Sequence, residues 1–388
     1  MKKLLIASIG AALLAAGCCN VPRIMTSAPD YNATDWGVSE QGEKAHLWTV
    51  RGVDGLEVVF SDYGARIVQC WAPCKLGFKA DVVMGWNTLK EYEVNGFFAG
   101  ATIGRYANRI RDGKFTIDGV EYQLPLCETS PAPRHCNLHG GPVGWDKKVW
   151  AAMPFSEGDS RGIVFTLLSP DGDMGFPGTV TAKVTYTVLP GNVMRIEYDA
   201  ETDKPTVISM TNHGFWNVAG ESSGSTLGLE MMFNADKYTQ TDDGLIPTVD
   251  VPVKGTGFDF TSLRPIGAEA DWMAAQASLK CTDNWYDHNF VLNGKSGEMK
   301  LAAKLHDPKS GRTLEISTTE PCLQYYGAQN ITEKMLAKKP GKTLGEFAAV
   351  ALEPQHYPDS PNRADYPTTL LRPGEKYHSV SEYKFIAE

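Results

Sequence analysis

From residue 114 onward, hydrophobic and polar positions alternate with a period of two, the mark of strands with one buried face. Lys114-Phe-Thr-Ile-Asp118-Gly119-Val-Glu-Tyr-Gln-Leu124 is two such runs around an Asp-Gly pair, which predicts a tight hairpin. Further strands are predicted at 162–168, 179–188, 193–199, 206–211, 227–234, 299–306, 313–319, 323–327 and 377–386. Gly, Pro, Asp and Asn punctuate them at short spacing. Helical periodicity is weak and local, around Glu269–Lys280 and Ile331–Lys338. No repeat of 20–50 residues and no low-complexity linker divides the body. The pattern therefore predicts one all-β domain over residues 37–388, a large sandwich of antiparallel sheets.

The first residues follow a different pattern. Met1-Lys2-Lys3 is basic, and Leu4–Ala16 is an apolar run of 13 residues, too short for a membrane span but fitting a secretory signal. Ala15-Ala16-Gly17-Cys18 follows at once, small residues before a cysteine, as in bacterial lipoprotein signals. The expectation is cleavage after residue 17, lipidation of Cys18, and an exported protein held to a membrane only by that lipid. Ordinary signal-peptide cleavage nearby is the alternative. Residues 18–36 are polar and aperiodic and read as a tether.

Composition narrows the chemistry. The 388 residues carry 37 Lys+Arg against 46 Asp+Glu, a formal charge of −9. Cleavage before Cys18 would remove Lys2 and Lys3 and no acidic residue, leaving 371 residues at −11. An acidic balance argues against nucleic acid as a partner. No GxxxxGK[ST] or GxGxxG fingerprint supports a nucleotide cofactor, and no Cys-x2-Cys or His-Glu-x-x-His supports zinc. Of the eight cysteines, Cys127 and Cys136 flank a Pro-rich stretch and Cys70 and Cys74 form another close pair. Export would permit disulfides at either pair, and reduced thiols are equally open.

Several polar residues sit in settings that suit chemistry. His139 stands before Gly140-Gly141, where backbone can approach a ligand closely. His213 follows a predicted strand in Thr211-Asn212-His213-Gly214-Phe215-Trp216-Asn217, a mix of aromatics and hydrogen-bonding groups that suits a sugar. Each could equally be a satisfied core histidine. Glu353 ends the apolar run FAAVALE, where partial burial would lift its pKa toward the general-base range. Asp287 follows Trp285-Tyr286, and Asn108-Arg109 reads as a hydroxyl anchor or a buried ion-pair member. Gly220-Glu221-Ser222-Ser223-Gly224 matches G-x-S-x-G, and Asp287 then His356 would complete a hydrolase order. The residues after it alternate like a strand, where a nucleophile elbow needs a helix.

Together these motifs resemble the aldose 1-epimerases, the galactose mutarotase family, from about residue 48 to the C-terminus. The blocks are GRYANRI, KFTIDGVEYQL, NLHGG with GWDKKVW, SPDGDMGFPG, TNHGFWN, GLIPT, GTGFDF, YDHNFVL, TTEPCLQYYGAQN, LEPQHYPDSPN and LRPGEKYH. The resemblance implies a large antiparallel β-sandwich that interconverts the α and β anomers of free hexoses, with no cofactor and no metal. It implies that Glu353 is the catalytic base and His213 the catalytic acid. It places sugar-binding roles on Arg109, with Asn108 beside it, and on His139, Asp287 and Gln324. A monomer binding a free aldohexose is the expectation. The stretch around Cys127 and Cys136, and Gly214 and Trp216 in the TNH block, depart from the usual pattern and bear on sugar preference. Two other readings stand beside this one: a related epimerase for another sugar, and a carbohydrate-binding lipoprotein without catalysis. The presence of both Glu353 and His213 argues against the second, since binding needs no acid–base pair.

Overall fold

The computed structural model describes residues 31–127, 135–276, 279, 282, 284–331 and 335–388. The signal, the Cys18 lipidation site, most of the tether and most of the Pro-rich stretch after Cys127 lie outside the described residues. Three antiparallel sheets dominate. The largest has nine strands, in the order Ala151–Glu157, Ser160–Ser169, Val180–Leu189, Val193–Thr202, Tyr377–Ala387, Arg312–Thr318, Lys300–His306, Glu230–Phe233 and Arg264–Pro265. A six-stranded sheet runs Phe215–Trp216, Val350–Gln355, Cys322–Tyr326, Asp287–Val291, Lys237–Thr241 and Pro247–Pro252. A five-stranded sheet takes Asn32–Val38, Lys44–Arg51, Glu57–Ser61, Arg66–Pro73 and Lys79–Asp81 in chain order.

The period-two pattern sets the packing. In Val193–Thr202, Met194, Ile196, Tyr198 and Ala200 are buried and their neighbours are not. These residues join Phe165, Tyr186, Ile316 and Tyr383 of the nine-stranded sheet in one cluster. Phe60 and Ile67 of the five-stranded sheet and Phe290, Leu323, Tyr325 and Leu352 of the six-stranded sheet complete that cluster. Phe60 meets Tyr186 at 4.6 Å between ring centroids, and Phe233 meets Phe290 at 4.4 Å. Each such side chain contributes roughly 1.5–3 kcal/mol by leaving water, so this sandwich core is the main source of stability. The expected hairpin is present as Lys114–Ile117 paired with Val120–Gln123.

Some expectations are corrected. Strand pairing begins at Asn32, inside the stretch read as tether, because Ala33–Val38 finds the edge of Lys44–Trp48. The predicted strand at 206–211 is two short pieces, Thr206–Val207 and Thr211–Asn212. Between them Ser209 bonds backbone to backbone with Arg105 and Ala107, which draws the chain across the sandwich. Around 269–280 the described residues hold the end of a 3-10 turn, Ile266–Glu269, and the short helix Ala270–Ala275. Near 331–338 Leu336 pairs with Thr343 in an isolated bridge, and no helix occurs there among the described residues. The helix Leu89–Asn95 was not anticipated, although Thr88 and Glu91 form a reciprocal capping box at its start. Among the described residues no helix is long and apolar enough to cross a membrane.

Candidate active site

The six-stranded sheet carries the site on the face turned away from the sandwich core. Alternation sends Phe290, Leu323, Tyr325 and Leu352 inward. It leaves Asp287, Asn289, Gln324 and Glu353 on the opposite face. Register aligns them: Asn289 lies opposite Gln324, and Gln324 opposite Glu353. Segments from elsewhere in the chain close over this face and leave a cavity of about 220 Å3. Its walls include Phe98, Asn108, Arg109, His139, His213 and Tyr326. That is smaller than the roughly 300–1,000 Å3 of pockets for drug-sized ligands, so it suits one small molecule.

His213 is fixed from both sides. Its N–H donates to Ala101 O at 2.9 Å and its carbonyl accepts from Gly100 N–H at 2.8 Å. The neighbouring Asn212 amide donates to Gly100 O and to the Tyr186 hydroxyl. Thr211 Oγ1 donates to Pro354 O at 2.7 Å, tying the histidine's segment to the strand of Glu353. The His213 ring lies against Phe98, His139 and Phe215, with centroids at 5.8, 5.1 and 5.0 Å. Its Nε2 is 3.5 Å from Glu353 Oε1, and both side chains are buried. His213 Nδ1 and Glu353 Oε2 have no hydrogen-bond partner.

His139 follows the short strand Cys136–Leu138 with a left-handed backbone, φ 52°. Its Nδ1 accepts the Asn108 N–H at 3.1 Å, which assigns the proton to Nε2 and makes that atom the ring's donor. Gly140 after it serves a close approach within the fold. A Cβ on Gly140 would lie 2.0 Å from Gly104 O, so the glycine lets two backbone segments meet behind the pocket. Arg109 Nη2 stands 3.8 Å from Asp287 Oδ2, and Gln324 Nε2 donates to Asp287 Oδ1 at 2.7 Å. All seven predicted catalytic and binding residues thus line one cavity. His139, His213 and Glu353 also gather one ligand atom each within 4.8 Å of one another, the group among the described residues that could converge on a cation.

Burial dominates the electrostatics. It draws His213 down to about 4 and His139 well below the usual histidine range, His213 and Arg109 adding to the second shift. It pushes Glu353 well above the usual carboxylate range; Asp287 reinforces the shift and Arg109 opposes it. Both shifts run toward the neutral forms, so burial favours a neutral His213 beside a protonated Glu353.

The structure agrees with the rejection of the hydrolase order. Ser222 lies in a turn followed by the 3-10 segment Thr226–Gly228 and the strand Glu230–Phe233, so no nucleophile elbow exists. His356 binds Glu320 at 2.6 Å, while Asp287 binds Gln324, so no triad forms. Of the two close cysteine pairs, Cys70 and Cys74 are held as thiols. Cys127 Sγ accepts the Leu138 N–H at 3.0 Å, beside His139. Phe97 and Phe98 went unnoticed in the sequence. They line the cavity from left-handed backbone, φ 60° and 54°, a conformation that costs of order 1–3 kcal/mol at each residue. Their only sequence signal is an aromatic pair between Gly96 and Gly100.

The chain is 36% identical over 333 residues to the galactose mutarotase of Rattus norvegicus, covering 86% of this chain and 92% of that protein. It is 36% identical over 357 residues to the aldose 1-epimerase of Escherichia coli K12, covering 90% and 98%. Among solved structures, galactose 1-epimerase from Lactobacillus acidophilus NCFM superposes with a TM-score of 0.78 at 25% identity, over 92% of this chain and 98% of that one. An aldose epimerase homologue from C. elegans gives a TM-score of 0.76 at 27% identity, over 88% and 99%. The family model described as aldose 1-epimerase matches residues 46–384, and the chain belongs to that family.

Proposed function

We propose that this protein is an aldose 1-epimerase that interconverts the α and β anomers of free hexoses such as galactose and glucose. The observation that carries this reading is the 3.5 Å approach of His213 Nε2 to Glu353 Oε1 inside a cavity fit for one small molecule. Mutarotation moves a proton from the C1 hydroxyl to the ring oxygen as the C1–O5 bond breaks. The product is an open-chain aldehyde. Rotation about C1–C2 presents the other carbonyl face, and reclosure returns both protons. A pair that holds one proton between two sites can perform each step and then its reverse.

Glu353 takes the base role and His213 the acid role. Sugar hydroxyls donating to Glu353 favour its ionised form, which moves the resident proton to His213. Each positioned group contributes typically about 10²–10⁴-fold. Asn108, Arg109, His139 Nε2–H, Asp287 and Gln324 hold the remaining hydroxyls, so only C1 and C2 rearrange. The chemistry calls for no redox change. Polarimetry of freshly dissolved α-galactose tests the reading: the purified protein should bring the rotation to equilibrium far faster than buffer. A trace equal to that of buffer would remove it.

The N-terminal sequence supports an exported enzyme anchored through lipid on Cys18. It rests on the basic start, the short apolar run and Ala-Ala-Gly before the cysteine. Labelled palmitate should enter the wild-type protein and not Cys18→Ala; label in both would refute the anchor.

A further inference from the structure

The chain that builds this cavity is held at a second buried point, away from the sugar. Glu320 lies in the bend between the strand Arg312–Thr318 of the large sheet and Cys322–Tyr326 of the six-stranded sheet. It is four residues before Gln324 and only 2% exposed. Its Oε2 meets His356 Nδ1 at 2.6 Å, and His356 stands three residues after Glu353. Its Oε1 accepts from the Tyr377 hydroxyl at 3.4 Å. That hydroxyl in turn accepts the Met210 N–H at 3.0 Å, three residues before His213. Tyr377 begins the strand Tyr377–Ala387 in the middle of the nine-stranded sheet, so the cluster is also pinned to the most extensive part of the core.

We propose that Glu320 is a positioning residue for catalysis: through His356 and Tyr377 it binds together the three segments that carry Gln324, Glu353 and His213. The two acid–base side chains come from different segments and make no bond shorter than 3.5 Å to one another, so their spacing depends on their backbones. Thr211 to Pro354 and the pairing of Phe215–Trp216 with Val350–Ala351 tie those backbones inside the sheet, and the Glu320 cluster adds a tie at the other end of the strand. Arg109 and His139 are held to one another's segments by ties of their own, the pairing of Arg109 with Leu138 and the His139 N–H to Asn108 O. Loosening the cluster therefore disturbs the acid–base geometry and leaves most of the hydroxyl grip in place. A misplacement of 1 Å costs about a hundredfold in rate, so a shift of about 0.5 Å costs about tenfold.

This inference rests on the acid–base reading of His213 and Glu353. Wild-type turnover tests that reading, and the ratio of variant to wild type tests this one. The experiment is steady-state mutarotation by the full-length protein, with circular dichroism establishing that each variant is folded at the assay temperature. Glu320→Ala should lower kcat about tenfold with KM unchanged within about twofold. Glu320→Gln, which keeps shape and hydrogen-bonding capacity, should recover kcat to within about threefold of wild type. Tyr377→Phe removes one oxygen and should lower kcat about threefold, and it carries the test alone if Glu320→Ala does not fold. Wild-type kcat in the folded variants, or a loss confined to KM, would overturn the proposal and leave the cluster a purely structural one.

Discussion

Two buried His–Glu pairs flank the same strand, and they are opposite in every electrostatic respect. At the end of Val350–Gln355, His356 and Glu320 touch at 2.6 Å. Although burial opposes both charges, contact with the partner raises the histidine pKa and lowers the carboxylate pKa, so both ions persist. Within the strand, Glu353 faces His213 at 3.5 Å, beyond a normal hydrogen bond. There burial outweighs what opposes it, the histidine falls to about 4 and the carboxyl rises despite Arg109. The same residue types make a clamp when hydrogen-bonded and a poised proton pair when held just apart. His213 Nδ1 and Glu353 Oε2, the far atoms of the poised pair, make no hydrogen bond that would offset its burial.

The largest expected effect breaks the poised pair. Glu353→Gln keeps the side chain's shape and removes its proton chemistry. Turnover should fall by about 10²–10⁴-fold while calorimetric sugar binding survives. Activity within threefold of wild type would remove Glu353 from its role. Next comes the clamp. His356→Ala leaves a buried carboxylate without its counter-ion and should cost about 3 kcal/mol in denaturant unfolding. Glu353→Gln, replacing a buried carboxyl that burial already holds toward its neutral form, should cost almost nothing. Equal losses at the two sites would erase the distinction between them.

Stability against pH sharpens the contrast. His356 has a raised folded pKa, so its contribution is fully present below the ordinary histidine value of 6.5 and is lost as pH rises through the folded value. Glu320 has a lowered folded pKa, so its contribution is present above the ordinary 4.5 and is lost as pH falls through the folded value. The melting-temperature gap between wild type and His356→Ala should therefore peak between pH 4.5 and 6.5 and narrow on both sides. A gap independent of pH would show that packing, not charge, holds the clamp. The smallest effect concerns the sugar grip. Gln324→Leu removes the amide that donates to Asp287 and should raise KM severalfold, about 1 kcal/mol, with kcat little changed.

The sequence revealed strands where one face is buried and the other wet. Lys114–Gln123, Val180–Leu189 and Tyr377–Ala387 alternate cleanly and fall where the pattern put them. The five-stranded sheet was missed because it lacks that contrast. Val58, Phe60 and Ile67 face the sandwich core, while Val59 and Val68 face a second apolar cluster around Trp86 and Ile331. Strands buried on both faces show no period to read. The cavity residues were legible through motif blocks, since each carries its own local signature. Phe97 and Phe98 were not, because their place depends on left-handed backbone. The place of His356 was not legible for a related reason. It lies three residues from Glu353, yet its partner Glu320 is 36 residues away in the chain and adjacent only through strand pairing.

The charge state of the two glutamates in the unliganded protein at pH 6 tests this account most directly. Infrared difference spectra of wild type minus Glu353→Gln and of wild type minus Glu320→Gln read it without turnover. The first difference should contain the carbonyl stretch of a protonated carboxylic acid, and the second the paired bands of a carboxylate. Carboxylate bands in both differences would contradict it, since Glu353 would then be a second ionised clamp.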